Sequence, residues 1–178
     1  MSVLVVDAGP PPPLPLAGAA HAGCLSFEMS VGGLAMFVNG GAPGPADQDW
    51  SATARATASH NTLSLDGRSS SRLVEHPRLS ALAGGVPIRM PDDVVARVSE
   101  TAGALVLEAH HNGYLRRTKL LHRRHLTLAA DGRRLDGDLA RGRGRHLRRG
   151  DGGAGSVRLA LRRGSRQPGA QAPGHRRR

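Results

Sequence analysis

HAGCLSFEMSVGGLAMFVNGG, residues 21–41, decides the fold. Leu25, Phe27, Met29 and Val31 alternate with Ser26, Glu28 and Ser30, the period of a half-buried strand. Gly32-Gly33 supplies a two-residue hairpin turn. Leu34–Val38 returns as a more continuously apolar strand, and Gly40–Pro45 is a loop by composition. His21 opens this hairpin, Asn39 ends its second strand, and His60 opens HNTLSLDG (60–67), a third strand closed by Asp66-Gly67. Ligand-capable side chains at the ends of neighbouring strands are how a β domain builds a metal or sugar site.

Outward from the hairpin the pattern stays β. Val3–Val6 is a short apolar strand, and Pro10–Pro13 impose an extended segment after it. A strand so near residue 1 reads as the middle of something larger. Val94–Glu100 and Ala104–His110 predict a hairpin around Thr101-Ala102-Gly103, and Leu120–Ala130 with Arg133–Leu135 another around Asp131-Gly132. Ser69–Ser71 and the Pro and Gly residues of 77–91 mark loops. No amphipathic helix stands out. Repeated strands with Gly-rich turns predict an all-β fold, a partial antiparallel β-sandwich.

The net charge of +11 suggests a nucleic-acid binder until it is located. Residues 138–178 hold twelve arginines and two acids, a charge of +10, which leaves +1 for residues 1–137. The tail also lacks any aromatic residue. It cannot bury enough surface to offset the entropy of ordering, so it is expected to be disordered. Its Arg, Gly, Ala and Pro mixture is also what a GC-rich gene read in a shifted frame yields. The expected organisation is a β-sandwich domain over 1–137 and a disordered basic tail over 138–178. Nucleic-acid binding through RGRGRHLRR (141–149) is the rival reading, and it lacks the aromatics that stack on bases.

Cys24 is the only cysteine, which excludes an internal disulfide. With no cations near it in sequence it reads as a small half-buried strand residue. The N-terminus has neither the basic region nor the apolar length of a signal peptide, and no apolar run is long enough for a membrane helix. As written, the chain is expected to stay in the cytoplasm.

Two clusters carry chemistry. Two histidines and an oxygen ligand suit Zn²⁺, which makes His21, Asn39 and His60 the candidate metal ligands. Asn39 is a neutral amide, and Asp47 and Asp49 are the nearest carboxylates to replace it in such a set. The second cluster is Glu108, His110, His111, Asn112 and Tyr114, suited to acid–base work or to holding sugar hydroxyls; the plain alternative is a polar loop after a strand. His76, His122, His125, His146 and His175 read as structural or solvated.

These residues resemble the C-terminal β domain of the heparinase II/III-like family of polysaccharide lyases. The resemblance is carried by DAGPPPP (7–13), AHAGCLSFEMS (20–30), FVNGGAPG (37–44), ARATASHNTLSLDG (54–67), HHNGY (110–114) and HRRHLTLAADGRRLDGD (122–138). It implies a β-sandwich that partners an N-terminal (α/α) toroid, with a cleft between them where uronate-containing polysaccharides are cleaved by β-elimination. It also implies a cell-envelope or periplasmic setting. By motif position His21 resembles the first ligand of the family's zinc site and His60 the last. Asn39 stands where the family places Asp, and Ala19 where it often has a further His. Candidate catalytic residues are His60 and Tyr114, and candidates for substrate binding are Arg55, His60, Asn61 and His111. The toroid that carries most acid–base residues is not in this sequence. The expectation is therefore a lyase β domain inactive alone, with a non-catalytic module for acidic glycans as the alternative.

Overall fold

The computed structural model describes residues 1–42, 50–73, 89–143 and 157–161. Within them lie strands β1 (Ser2–Val6), β2 (Phe27–Val31), β3 (Leu34–Phe37), β4 (Val94–Thr101), β5 (Ala104–His111), β6 (Leu120–Leu128), β7 (Leu135–Arg143) and β8 (Val157–Leu161). They form two antiparallel sheets, ordered β3-β2-β1-β8 and β4-β5-β6-β7. Two short helices, α1 (Ser51–Arg55) and α2 (Leu115–Thr118), sit in the connections. The predicted antiparallel sandwich is what the chain builds.

The core lies between the sheets. Leu4, Val6 and Met29 of the first sheet, with Leu25, meet Leu107 and Ala109 of β5 and Leu126 and Leu128 of β6. Leu4, Leu25, Leu107 and Leu128 are fully buried, and truncating such a leucine to alanine costs about 2–5 kcal/mol. The inward positions of β6 follow the period of two: His122, Arg124, Leu126, Leu128. One end of the interior is therefore apolar and the other polar, and the polar end lies under the segment that carries His60 and Asn61.

The three predicted hairpins form. Gly32 and Gly33 turn the first with φ of 61° and 88°, and Ala102 and Gly103 turn the second with 49° and 75°, the paired positive angles that suit tight β-hairpins. The first begins at Phe27 rather than at Cys24 or Leu25. Leu25 takes φ 64°, and Ser26 N–H closes a turn on the Gly23 carbonyl at 2.7 Å. A left-handed leucine costs about 1–2 kcal/mol. It is held by its own N–H on the Asp7 carbonyl (2.7 Å), by Arg124 on its carbonyl, and by complete burial of its side chain. Cys24 is buried in this turn rather than half-buried on a strand.

The expected third strand is absent. His60 follows a 3-10 turn, Thr57–Ser59, and residues 61–64 run without ladder pairing, because side chains rather than a strand partner satisfy them. Asp66 and Gly67, with φ of 52° and 67°, make the predicted turn between Leu65 and Arg68. At the other end β7 continues across position 138 to Arg143, and Val157–Leu161 pairs with β1, so two pieces of the expected tail sit in sheets. The rest of that tail, residues 43–49 with Asp47 and Asp49, and most of the 77–91 loop with His76 before it lie outside the described residues.

Candidate functional site

The HNT sequence at 60–62 stitches one loop onto another, each side chain in a different way. The Asn61 amide behaves like a strand peptide: its Oδ1 accepts from Phe27 N–H (2.8 Å) and its Nδ2 donates to the Phe27 carbonyl (2.5 Å). Thr62 donates its hydroxyl to the Cys24 carbonyl at 3.0 Å. His60 lies over Gly23, where a Cβ would come within 2.7 Å of the imidazole Cδ2. The glycine of HAGC is thus required by the approach of a ring, a contact no local pattern reveals.

His21 and His60 meet edge to face, with Nδ1 of His21 3.2 Å from Nε2 of His60. The proton positions follow from chemistry. A carbonyl only accepts, so His60 Nδ1–H donates to Ala56 (2.9 Å), leaving Nε2 as the acceptor for His21 Nδ1–H. The ring nitrogen of the couple that faces away from the pair is then His21 Nε2. Burial lowers the His21 pKa, the neighbouring His60 and Arg55 charges lower it further, and the Ala54 carbonyl partly opposes them. A neutral imidazole at neutral pH is what a base or a metal ligand requires.

Two arginines brace this pair. Arg55 ends α1, and its Nε donates to the Ala20 carbonyl (2.9 Å) while its own carbonyl accepts from Ala22 N–H (2.8 Å), so both ends of the His21 loop are tied to one residue. Arg55 is buried, and its Nη2 has no partner among the described residues. Arg124 reaches from β6 to the carbonyls of Leu25 and Asn61, the latter at 2.8 Å, with its guanidinium 5.1 Å from the Phe27 ring centre. Burial brings its pKa down to about 10. Sequence reading passed over Arg124; its signal is a cation at an inward position of an otherwise apolar strand period.

The donor set meets a zinc site halfway. His21 and His60 offer ring nitrogens whose orientation is fixed from behind, as ligand histidines require. Asn39 is committed elsewhere: its Oδ1 accepts from Asn61 N–H (3.1 Å) and its Nδ2 points to Ser26 Oγ (3.4 Å). No group of three or more His, Cys, Asp or Glu side chains converges among the described residues. Among the described residues the ring nitrogens of a ligand set therefore come from His21 and His60, and none of the chemistry below runs through a metal.

The second predicted cluster separates by strand alternation. His111 faces the interior of β5 with Leu107 and Ala109, whereas Glu108 and His110 face the other way. His111 is fully buried and forms a relay: Gly113 N–H donates to its Nδ1 (3.0 Å), so its Nε2–H donates to His122 Nδ1 (2.8 Å). His122 Nε2 then carries a proton with no partner among the described residues. Burial holds His111 well below the usual histidine range and His122 down to about 4. Tyr114 is buried, and its hydroxyl donates to the Leu63 carbonyl at 2.6 Å with the Arg68 carbonyl at 3.3 Å. Burial pushes its pKa up to about 12. Of the candidates, His21, His60, Asn39 and Asn61 with Arg55 come together, while His111 and Tyr114 form a separate buried layer.

A family model described as Heparinase II/III-like, C-terminal, matches residues 2–146, most of the chain. No curated protein and no solved structure matches.

Proposed function

The chain belongs to the heparinase II/III-like family through its C-terminal domain, and from that premise we propose that it is the β-sandwich half of a polysaccharide lyase site for uronate-containing glycans. The observation that carries this reading is the braced, hydrogen-bonded His21–His60 pair with Arg55 beside it. In β-elimination a cation neutralises the uronate carboxylate, a base removes the C5 proton, and an acid protonates the leaving oxygen. Arg55, the cation that braces the His21 loop through Ala20, suits the first task. His21 Nε2 suits a proton acceptor or a contact to sugar hydroxyls. Among the described residues a complete acid–base set is not gathered, since the Tyr114 hydroxyl is engaged by two carbonyls.

The reading is therefore a glycan-contacting β domain that does not turn substrate over by itself, with the remaining groups supplied by the helical toroid that the family pairs with it. A setting in the cell envelope or outside the cell goes with that substrate class. Titration of the chain with heparan sulfate and alginate oligosaccharides tests it. Binding weakened about tenfold by His60→Ala is expected, on the scale of a lost charged or bidentate contact. Equal binding by the two proteins would remove His60 from the glycan surface.

A further inference from the structure

A cavity of about 380 Å³, lined by neither His21 nor His60, is formed by Leu65, residues 68–72, Arg89, Gly113, Tyr114 and residues 116–118. Its volume falls in the range of small-ligand pockets. Arg68, Arg72, Arg89, Arg116 and Arg117 line it, and among the described residues no Asp or Glu does. The salt bridge found among the described residues, Arg134 to Asp136, lies elsewhere. Five arginines around one concavity give it a strong positive potential, and a guanidinium is a planar fork matched to an oxyanion.

The back wall of this cavity is built rather than incidental. Gly113 packs so tightly that a Cβ there would lie 2.6 Å from the Ser70 carbonyl. Ser70 N–H donates to Thr57 Oγ1 (2.9 Å), and Thr57 donates that hydroxyl to the Ala22 carbonyl (2.6 Å), next to His21. The wall is thus shared with the loop that carries the histidine pair. The hydroxyls of Ser69, Ser70 and Thr118 hold this wall together, bonded to Thr57 N–H, the Ala22 carbonyl and the Tyr114 carbonyl, so ligand recognition falls to the arginines. The aromatic residue that lines it, Tyr114, is 3% exposed, so the cavity offers no open face on which a nucleobase could stack.

We propose that this cavity is a second glycan subsite that binds a sugar segment bearing clustered oxyanions, sulfate esters or carboxylates. It rests on the reading that the chain binds acidic glycans, and it adds a site outside the histidine pair.

Fluorescence anisotropy of the full chain tests this with three labelled probes of matched length: a heparin oligosaccharide, an alginate oligosaccharide and a thymidine oligonucleotide. Salt at about 0.3 M screens long-range attraction to the basic tail. The pocket variants are Arg116→Ser/Arg117→Ser and, separately, Arg68→Gln. The control, Arg97→Gln/Arg133→Gln, removes two exposed charges elsewhere. A loss of about tenfold in the pocket double variant against less than about threefold in the control is expected for at least one saccharide. The affected probe identifies the group: heparin alone points to sulfate, both to carboxylate. Equal losses in pocket and control variants overturn the proposal, as does oligonucleotide binding that is tighter than saccharide binding and lost in the pocket variants. If the double variant melts below the parent, Arg68→Gln decides. A loss with His60→Ala and none with pocket variants overturns this subsite and leaves the wider reading standing, whereas no saccharide binding by the parent overturns both.

Discussion

Arg124 of β6 donates to the backbone carbonyl of Asn61, 2.8 Å away, and so ties the second sheet to the loop that carries His60. The same guanidinium reaches the carbonyl of Leu25, whose left-handed backbone shapes the turn beneath that loop. A single buried cation thereby holds the two segments on which the histidine pair stands. Arg124→Met is expected to destabilise the fold by about 2–4 kcal/mol, because two carbonyls lose charge-assisted donors in a buried place. Arg124→Lys is expected to recover only part of this, since an ammonium cannot fork between both. Urea denaturation midpoints of the three proteins check the order. A methionine variant as stable as the parent would show that the clamp contributes nothing.

Gly23 gives the sharpest local test. Gly23→Ala places a methyl group 2.7 Å from the His60 ring and must displace it. Overpacking of this kind costs about 1–3 kcal/mol. The expected signature is more specific than lost stability: the hydrogen-bonded His21–His60 tautomers, resolved in a long-range ¹H–¹⁵N NMR correlation of the imidazoles, should revert to the mixed tautomers of free histidine. Unchanged ring shifts would mean that the close approach is not needed.

Acid should loosen the interior from the His111–His122 end. Both groups have folded pKa values below the unfolded 6.5, and His122 lies near 4. The unfolded chain therefore binds more protons in this window. The stabilisation is complete above pH 6.5 and is lost as pH falls from there towards about 4, by a few kcal/mol. His122→Leu should flatten that pH dependence, even if it costs stability at pH 7. A variant whose melting temperature falls with acid as steeply as the parent's would assign the effect to other groups.

Asn39 separates the histidine pair from a metal site. Asn39→Asp replaces a neutral amide by a carboxylate that can still accept from Asn61 N–H. Zinc affinity, measured by competition with a chelating dye, should rise by about tenfold over the parent. Equal affinity would show that position 39 does not stand in the ligand set.

Much of the fold was legible because hairpins announce themselves locally. Gly32-Gly33, Ala102-Gly103 and Asp131-Gly132 sit between stretches of period two, and all three turn where expected. The His60 segment was misread as a strand because its alternation is real but its partners are side chains: Asn61 imitates a peptide against Phe27, and Thr62 reaches Cys24. The start of β2 was missed for a related reason, since the left-handed leucine at 25 is imposed by Asp7 and Arg124, both distant in sequence. Within the candidate site His21 and His60 were legible from their motifs. Their braces, Gly23 and Arg124, were not, because each acts through a tertiary contact. The run HHNGY read as one cluster, but a strand sends its neighbours to opposite faces, and only His111 of the pair points inward.

The central claim is that this β domain holds a glycan-contacting histidine pair without a complete catalytic set. Incubation of the chain with heparan sulfate or alginate, followed by the ultraviolet absorbance of the unsaturated uronate product, tests it most directly. No rise in absorbance is expected under conditions where the chain binds those glycans. A rise that His60→Ala abolishes would contradict it and place the whole reaction within this chain.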